Sequence, residues 1–203
     1  MAKAARAGQL GERSVNPIMY LDIQIGDKAA GRICIELRAD LCPKTCENFK
    51  SLCLGDTGTN KDGLTLMHYK GTPFHRIIKD QICQCGDIKH HDGTWSQSVF
   101  MTKTGSKGEM IPNPDQKFED ENFILRHTGP GVVSMVNSGP DDNGSGFYIS
   151  FVECQWMDNR NVVFGAVCNE ESMAVLFEID RQGSLTGKPK QPVIIADCGQ
   201  LYP

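Results

Sequence analysis

The stretch FHRII at residues 74–78, followed by Gln84 and Gly86-Asp87, places one arginine, Arg76, in an otherwise apolar run. Short runs of this kind are typical of largely buried β-strands. An unpaired charge in such a strand is costly, so Arg76 must meet a partner or a ligand. Two interpretations remain open. Its stem packs while its head reaches solvent or a carboxylate, or its guanidinium serves a ligand.

Length and composition predict one domain with an all-β fold. The chain has 203 residues, of which 39% are hydrophobic and 23% charged, enough for one well-buried core. Its 21 glycines and 10 prolines lie between short apolar runs, which favours a β-barrel over a helical bundle. We assign this domain to residues 16–203. Residues 1–15 are basic and lack the apolar groups needed to fold alone, which predicts a flexible tail.

Charge and cysteine content limit the class of protein. The net charge of -4 and the isoelectric point near 5.7 give no field that would attract nucleic acid. Neither a membrane-length apolar run nor the hydrophobic region of a signal peptide is present, so we expect no membrane contact and a cytoplasmic location. The 9 cysteines are then interpreted as reduced, core-filling residues.

Local patterns predict the regular elements. Pro43 at the start and Gly55 at the end bound one helix, whose apolar positions recur at helical spacing. Asn169 is the predicted cap of a second helix that runs through Phe177 and stops at Gly183. Alternation predicts a hairpin over residues 19–25 and 33–37, and further strands at 74–79, 131–136, 147–150, 162–167 and 193–198.

Further blocks follow FHRII in a fixed order. They are FEDENF (118–123), GPGVVSMVNSGP (129–140), NGSGFYIS (143–150), WMD (156–158), VVFG (162–165) and IADCGQL (195–201). With these blocks, residues 16–201 resemble the cyclophilins, a family of peptidyl-prolyl isomerases. The resemblance implies a closed eight-stranded antiparallel barrel capped by two α-helices, with a groove for proline-containing peptides on its outer face.

The resemblance also implies a set of site residues, and no cofactor or metal. Arg76 matches the catalytic arginine of the family. The implied substrate-binding positions are Gln81, Ile82, Gln84, Phe123, Val136, Asn137, Gly146, Tyr148, Trp156, Met157 and Asn161. Of these, Ile82, Phe123, Tyr148 and Met157 are expected around the proline ring.

Several of these positions depart from the family pattern. Gln81 replaces an aromatic residue, Gly146 a glutamine and Asn161 a histidine. Isoleucine also replaces methionine at 82, and valine replaces alanine at 136. Tyrosine for phenylalanine at 148 and methionine for leucine at 157 are mild changes, since each keeps apolar surface. These changes predict an isomerase of reduced efficiency. They also predict weak binding at most of cyclosporin, a ligand that Trp156 supports in the family.

A second function stays open, that of a non-catalytic subunit of a large assembly. Two polar loops, at residues 55–72 and 93–116, look enlarged and are expected on the surface, where such segments often contact partners. The run LMHYKGTPFHR (66–76) resembles a divergent branch that includes the cyclophilin-type subunit of ciliary radial spokes. Partner subunits and a location in the ciliary axoneme are what this branch implies.

Two other clusters predict no chemistry. Cys83 and Cys85 alternate on one strand without a second matched pair, a weak signal for zinc, and core positions are the better interpretation. The triplet at residues 90–92, His-His-Asp, lacks the helical spacing of a metalloprotease motif and is expected to be a solvated turn. We therefore predict no metal site.

Overall fold

The computed structural model describes residues 16–203, so the predicted tail at residues 1–15 lies outside the described residues. The strands, in chain order, are β1 (Ile18–Ile25), β2 (Lys28–Leu37), β3 (Arg76–Ile78), β4 (Ile82–Cys85), β5 (Thr102–Thr104), β6 (Met110–Pro112), β7 (Val132–Met135), β8 (Phe147–Ser150), β9 (Val163–Val167) and β10 (Val193–Tyr202). The helices are α1 (Pro43–Leu54), α2 (Glu170–Arg181) and a short 3₁₀ helix, Gln155–Met157.

Eight of these strands form one antiparallel sheet in the order β10-β1-β2-β9-β7-β8-β4-β3. The two ends of the sheet meet through the extended segment before β3. Phe74 N donates to Val193 O at 2.8 Å, and Ile195 N donates to Thr72 O at 3.0 Å. The sheet thus curls into a barrel with two α-helices, which confirms the predicted all-β, eight-stranded fold.

Aromatic side chains fill the centre of the barrel. The ring of Phe49 on α1 lies 5.2 Å from the rings of Phe147 and Phe164 and 5.3 Å from that of Tyr69. The Tyr69 hydroxyl is fully buried but donates to Ser145 O at 2.6 Å, so burial leaves no polar atom unsatisfied there. This contact fixes the backbone just before β8.

Helix α1 begins and ends where the sequence predicts. Pro43 occupies its first turn, and Gly55 takes a left-handed conformation with φ 66° while its N–H donates to Ser51 O at 2.8 Å. The buried face carries Cys46 and Phe49, in agreement with the predicted spacing.

Helix α2 is partly different from the prediction. Asn169 caps it as expected, since its side-chain oxygen accepts from Ser172 N at 2.8 Å. The helix ends at Arg181 with Gln182 as its C-cap, so Gly183 follows the cap as the predicted stop, but Phe177 is 41% exposed. The buried stripe runs through Ser172, Val175, Leu176 and Ile179, so Leu176 is buried as predicted and Phe177 is not. No helix within residues 16–203 has the length and apolar character that crossing a bilayer requires.

The cysteines are free, and eight of the nine are buried. Cys83 and Cys85 point into the core, where Cys85 Sγ donates to Pro73 O at 3.4 Å. Burial raises the pKa of the Cys83 thiol, which keeps it neutral. Both residues therefore fill the core, as the sequence analysis expected.

The two enlarged loops are joined into one surface, a feature that the sequence did not reveal. The side chain of Gln116 accepts from Lys61 N at 3.2 Å and donates to Ser98 O at 2.9 Å. Asn60 Nδ2 donates to Gln97 Oε1 at 3.2 Å. The second loop also carries the hairpin β5–β6, which propensity did not predict. We call residues 55–72 and 93–116 the joined loops.

Candidate functional site

Four polar side chains form one row across the outer face of the barrel. Arg76 on β3 lies opposite Gln84 on β4, Gln84 lies opposite Tyr148 on β8, and Tyr148 lies opposite Ser134 on β7. Residues directly opposite in antiparallel strands share a face of the sheet. The neighbouring side chains, such as Ile77, point into the core.

Arg76 is exposed, so the expectation of a largely buried strand was wrong. β3 is an edge strand in which only Ile77 is fully buried, because alternate side chains face opposite ways. A Cβ at Gly187 would lie 2.9 Å from Arg76 Cγ, which shows how closely this glycine, with φ 85°, packs on the arginine stem. Among residues 16–203 Arg76 has no ion-pair partner, so its guanidinium is available to a ligand.

An apolar cluster lies beside this row on the outer face. It consists of Ile82, Cys154 and Met157, with Ile78 and Tyr148 packed against it. The structure thus brings together three residues expected around the proline ring, at 82, 148 and 157. Ile82 and Met157 are covered, at 2% and 1% exposure, whereas Tyr148 is half-buried. The accessible floor of the cluster is therefore the tyrosine ring.

The hydroxyl of Tyr148 adds a polar group to the apolar cluster. Burial raises its pKa, and the charge of Arg76 acts in the opposite direction. The hydroxyl is therefore neutral at ordinary pH. Opposite it, the hydroxyl of Ser134 is buried and has no hydrogen-bond partner in the described part of the chain.

A buried histidine and an aspartate hold the segment that covers the cluster. Asp158 Oδ1 accepts from the backbone N–H of His127 at 2.9 Å and lies 2.9 Å from its ring Nδ1. Cys154 N donates to His127 O at 3.0 Å. These contacts fix the 3₁₀ helix, which presents Trp156 at 59% exposure and turns Met157 inward.

The sequence analysis missed this pair. Asp158 lies in the quoted block WMD, but its partner His127 is 31 positions away. No local pattern links two residues at that separation. The one available signal was the position of Asp158, a charged residue directly after the site residues Trp156 and Met157.

Two asparagines tie the same segment to the barrel. Asn161 Nδ2 donates to Met135 O at 2.9 Å, and Asn137 Nδ2 donates to Arg160 O at 2.7 Å. The amide N–H of the Asn161 side chain is thereby engaged by the backbone of β7.

Phe123 lies apart from the outer cluster. It packs against the main core and lines a separate cavity of about 470 Å³ with Asn137, Pro140 and Arg160. Gln81 is not part of the outer cluster either. Its side chain is exposed in the turn between β3 and β4. The structure therefore does not group Phe123 with the other residues expected around the proline ring.

The departures at positions 136 and 146 are linked by contact. A Cβ added at Gly146 would lie 2.9 Å from Val136 Cβ, closer than side chains tolerate. Val136 N also donates to Gly146 O at 2.9 Å, which holds the two backbones together. Any Cβ at position 136 would lie this close, and the two methyl groups of Val136, each 3.4 Å from the added Cβ, crowd a side chain at 146 further.

Asp87 organises the loop after β4. Burial would raise the pKa of its carboxyl, but backbone N–H donors, among them those of His90 and Gly93, lower the pKa to about 2. Ligand atoms of His90 and Asp92 lie within 4.8 Å of this carboxylate. Because N–H donors already occupy the Asp87 oxygens, this cluster shapes the loop. Residues 90–92 are exposed there, as predicted for a solvated turn.

The pair at His127 predicts a pH dependence of stability. Burial lowers the pKa of His127, and Asp158 opposes this shift. The folded pKa thus lies below the unfolded value of about 6.5, so the folded state binds fewer protons. The stabilisation is complete above that value and is lost as pH falls toward the folded pKa. Urea unfolding from pH 8 to pH 5 is expected to show this fall.

A matched variant isolates the histidine. His127→Asn keeps a donor for Asp158 but does not titrate, so its free energy of unfolding should fall less steeply below about pH 6.5. Equal slopes for the native chain and the variant would show that His127 contributes nothing to acid sensitivity.

The comparison with protein families agrees with the barrel and its outer face. The model described as cyclophilin type peptidyl-prolyl cis-trans isomerase/CLD matches residues 20–200. The match covers six strands of the eight-stranded sheet in full and most of β1 and β10, together with both α-helices and the row that contains Arg76. Members of this family bind proline-containing peptides. The chain therefore belongs to the cyclophilin-type peptidyl-prolyl isomerase family.

Proposed function

We propose that the chain is a peptidyl-prolyl cis-trans isomerase of reduced efficiency, with Arg76 as the catalytic donor. The observation that carries the proposal is an exposed guanidinium, aligned with Gln84 and flanked by the cluster of Ile82, Tyr148 and Met157. A charged donor beside an apolar surface is the combination that the reaction requires.

The chemistry follows from the amide bond. Rotation about X-Pro is opposed by resonance, with a barrier of roughly 18–20 kcal/mol for peptide bonds in general. In the twisted state the prolyl nitrogen becomes pyramidal and more basic, so a donor directed at it favours the twist. Arg76 stays charged and offers several directed N–H groups. The apolar floor at Tyr148 holds the ring, and no covalent step is needed.

Reduced efficiency follows from the departures. Glutamine in place of an aromatic wall at 81 forfeits burial worth about 1.5–3 kcal/mol, and the missing side chain at 146 costs about 1 kcal/mol more. If all of it stabilised the transition state, the rate would fall by roughly 10² to 10³. The same changes, together with Asn161, support weak cyclosporin binding at most, although Trp156 remains exposed.

The first test compares the native chain with Arg76→Ala. Exchange NMR on a short X-Pro peptide is expected to show catalysis by the native chain and loss of most of it in the variant. Arg181→Ala, which changes an exposed arginine on α2, is the matched control and should keep the native rate. A folded Arg76→Ala variant with the native rate would remove Arg76 from the mechanism.

A second prediction uses the contact between positions 136 and 146. Gly146→Gln alone should destabilise the fold, because its Cβ meets Val136. Adding Val136→Gly removes the opposing Cβ, so the double variant should recover part of the stability lost in Gly146→Gln and turn over faster than the native chain by about fivefold, the worth of one hydrogen bond of about 1 kcal/mol. Unfolding and exchange rates of both single variants and the double variant complete the cycle. Additive effects would contradict the coupling.

A structural role in a large assembly is the second candidate. It is supported by the joined loops, which buried polar side chains such as Gln116 hold in one arrangement, and by exposed apolar side chains there, including Leu64 and Met110. With the divergent branch that residues 66–76 resemble, these features support a place among radial spoke subunits in the cytoplasm and axoneme of a cilium. Both roles can coexist.

The loop hairpin provides a clean test of this role. Asn113 N donates to Met101 O at 2.9 Å, so residues 102–112 can be replaced by a short glycine turn without disturbing the buried base of the loop. The trimmed chain, and a chain lacking residues 1–15, should incorporate less into radial spokes isolated from axonemes. The Arg76→Ala variant is the control and should incorporate normally. Undiminished incorporation of both shortened chains would count against the assembly role.

A further inference from the structure

The cavity that Phe123 lines is separate from the outer cluster. Its volume of about 470 Å³ falls within the usual range for ligand pockets, roughly 300–1,000 Å³. The ring of Phe123 and the chain at Gly139 and Pro140 give it an apolar interior. Asp120, Asn159 and Arg160 add polar groups to the lining.

This cavity adjoins residues that the proposed function places in the peptide groove. Asn137 lines it and also lines the neighbouring cavity with Val136. On the other side, Asn159 and Arg160 follow Met157 of the outer cluster within three positions. The cavity therefore lies next to residues that the proposed function places around the peptide.

The charges at the cavity differ in their availability. Both carboxylate oxygens of Asp120 are engaged, by Asp141 N at 3.0 Å and by Asn143 Nδ2 at 2.8 Å. The exposed guanidinium of Arg160, in contrast, has no ion-pair partner within residues 16–203. Arg160 is therefore the charged group of the lining whose side-chain hydrogen-bonding groups are not engaged by the described residues, and a guanidinium binds a carboxylate.

We propose that the Phe123 cavity is a second pocket for the client peptide. It takes an apolar side chain of about leucine size near the X-Pro bond, and Arg160 favours an acidic residue next to it. The inference rests on the proposed function, since it concerns the same peptide groove. It makes the client a proline segment with an apolar-acidic pair close to the proline.

The test uses equal-length alanine-based peptides with one Ala-Pro bond, in which a leucine is moved one position at a time. NMR titration of the full chain gives the dissociation constant and the amide shifts, and exchange in the same samples gives the rate. One leucine position is expected to bind about tenfold tighter than the alanine peptide, with shifts at Phe123 and Gly139. A glutamate beside that leucine should tighten binding further, and Arg160→Glu should reverse this gain.

A matched pair of glycine variants localises the effect. Gly139→Leu fills the cavity at a position where a Cβ meets no atom within 4 Å, and it should abolish the leucine preference. Gly129 is equally open but does not line the cavity, so Gly129→Leu should keep the preference. Preference retained in Gly139→Leu would overturn the proposal.

The outcomes separate this inference from the isomerase assignment. Catalysed exchange of the alanine peptide with no leucine position preferred would overturn the pocket and leave the isomerase intact. A leucine preference without catalysis would support the pocket and refute the isomerase.

Discussion

The strict alternation of side chains across β3, β4 and β8 is the constraint on which both the core and the groove depend. Ile77, Cys83 and Phe147 point inward to the aromatic centre, while their neighbours point outward. A shift of one residue in register would bury the polar row and expose the core. Core packing therefore fixes the register of these strands. That register in turn aligns the polar side chains of the row that contains Arg76.

Beyond strands β3, β4 and β8, the groove is completed by the segment that contains the 3₁₀ helix. This helix is held by the contact between His127 and Asp158. The side chains of Asn137 and Asn161 also hold it, by donating to backbone carbonyls. The contact with Asp158 satisfies Nδ1 of the buried His127 ring, which would otherwise be unpaired at a cost of about 1–3 kcal/mol. Hydrogen bonds and the burial of Cys154 and Met157 together keep this segment in place over the outer cluster.

The same physics shapes the joined loops. Where the two loops meet, buried amide side chains link them: Gln116 accepts from the backbone N–H of Lys61, and Asn60 donates to the side chain of Gln97. Such networks select one arrangement because each alternative leaves a buried polar group without a partner. A long polar insertion can in this way become a fixed surface, which is the property that a docking site in an assembly requires.

The sequence by itself determined the class of fold, the helix boundary at Gly55, the cap at Asn169 and the blocks that place the chain among the cyclophilins. These features depend on neighbouring residues, whose spacing and backbone preferences can be read along the chain. Only the tertiary structure decided that Arg76 is exposed, that Phe123 lines its own cavity, and that Val136 crowds position 146. Each of these depends on contacts, or on a strand's place in the sheet, that join residues distant in sequence, and a local pattern carries no information about which distant side chain will be its neighbour.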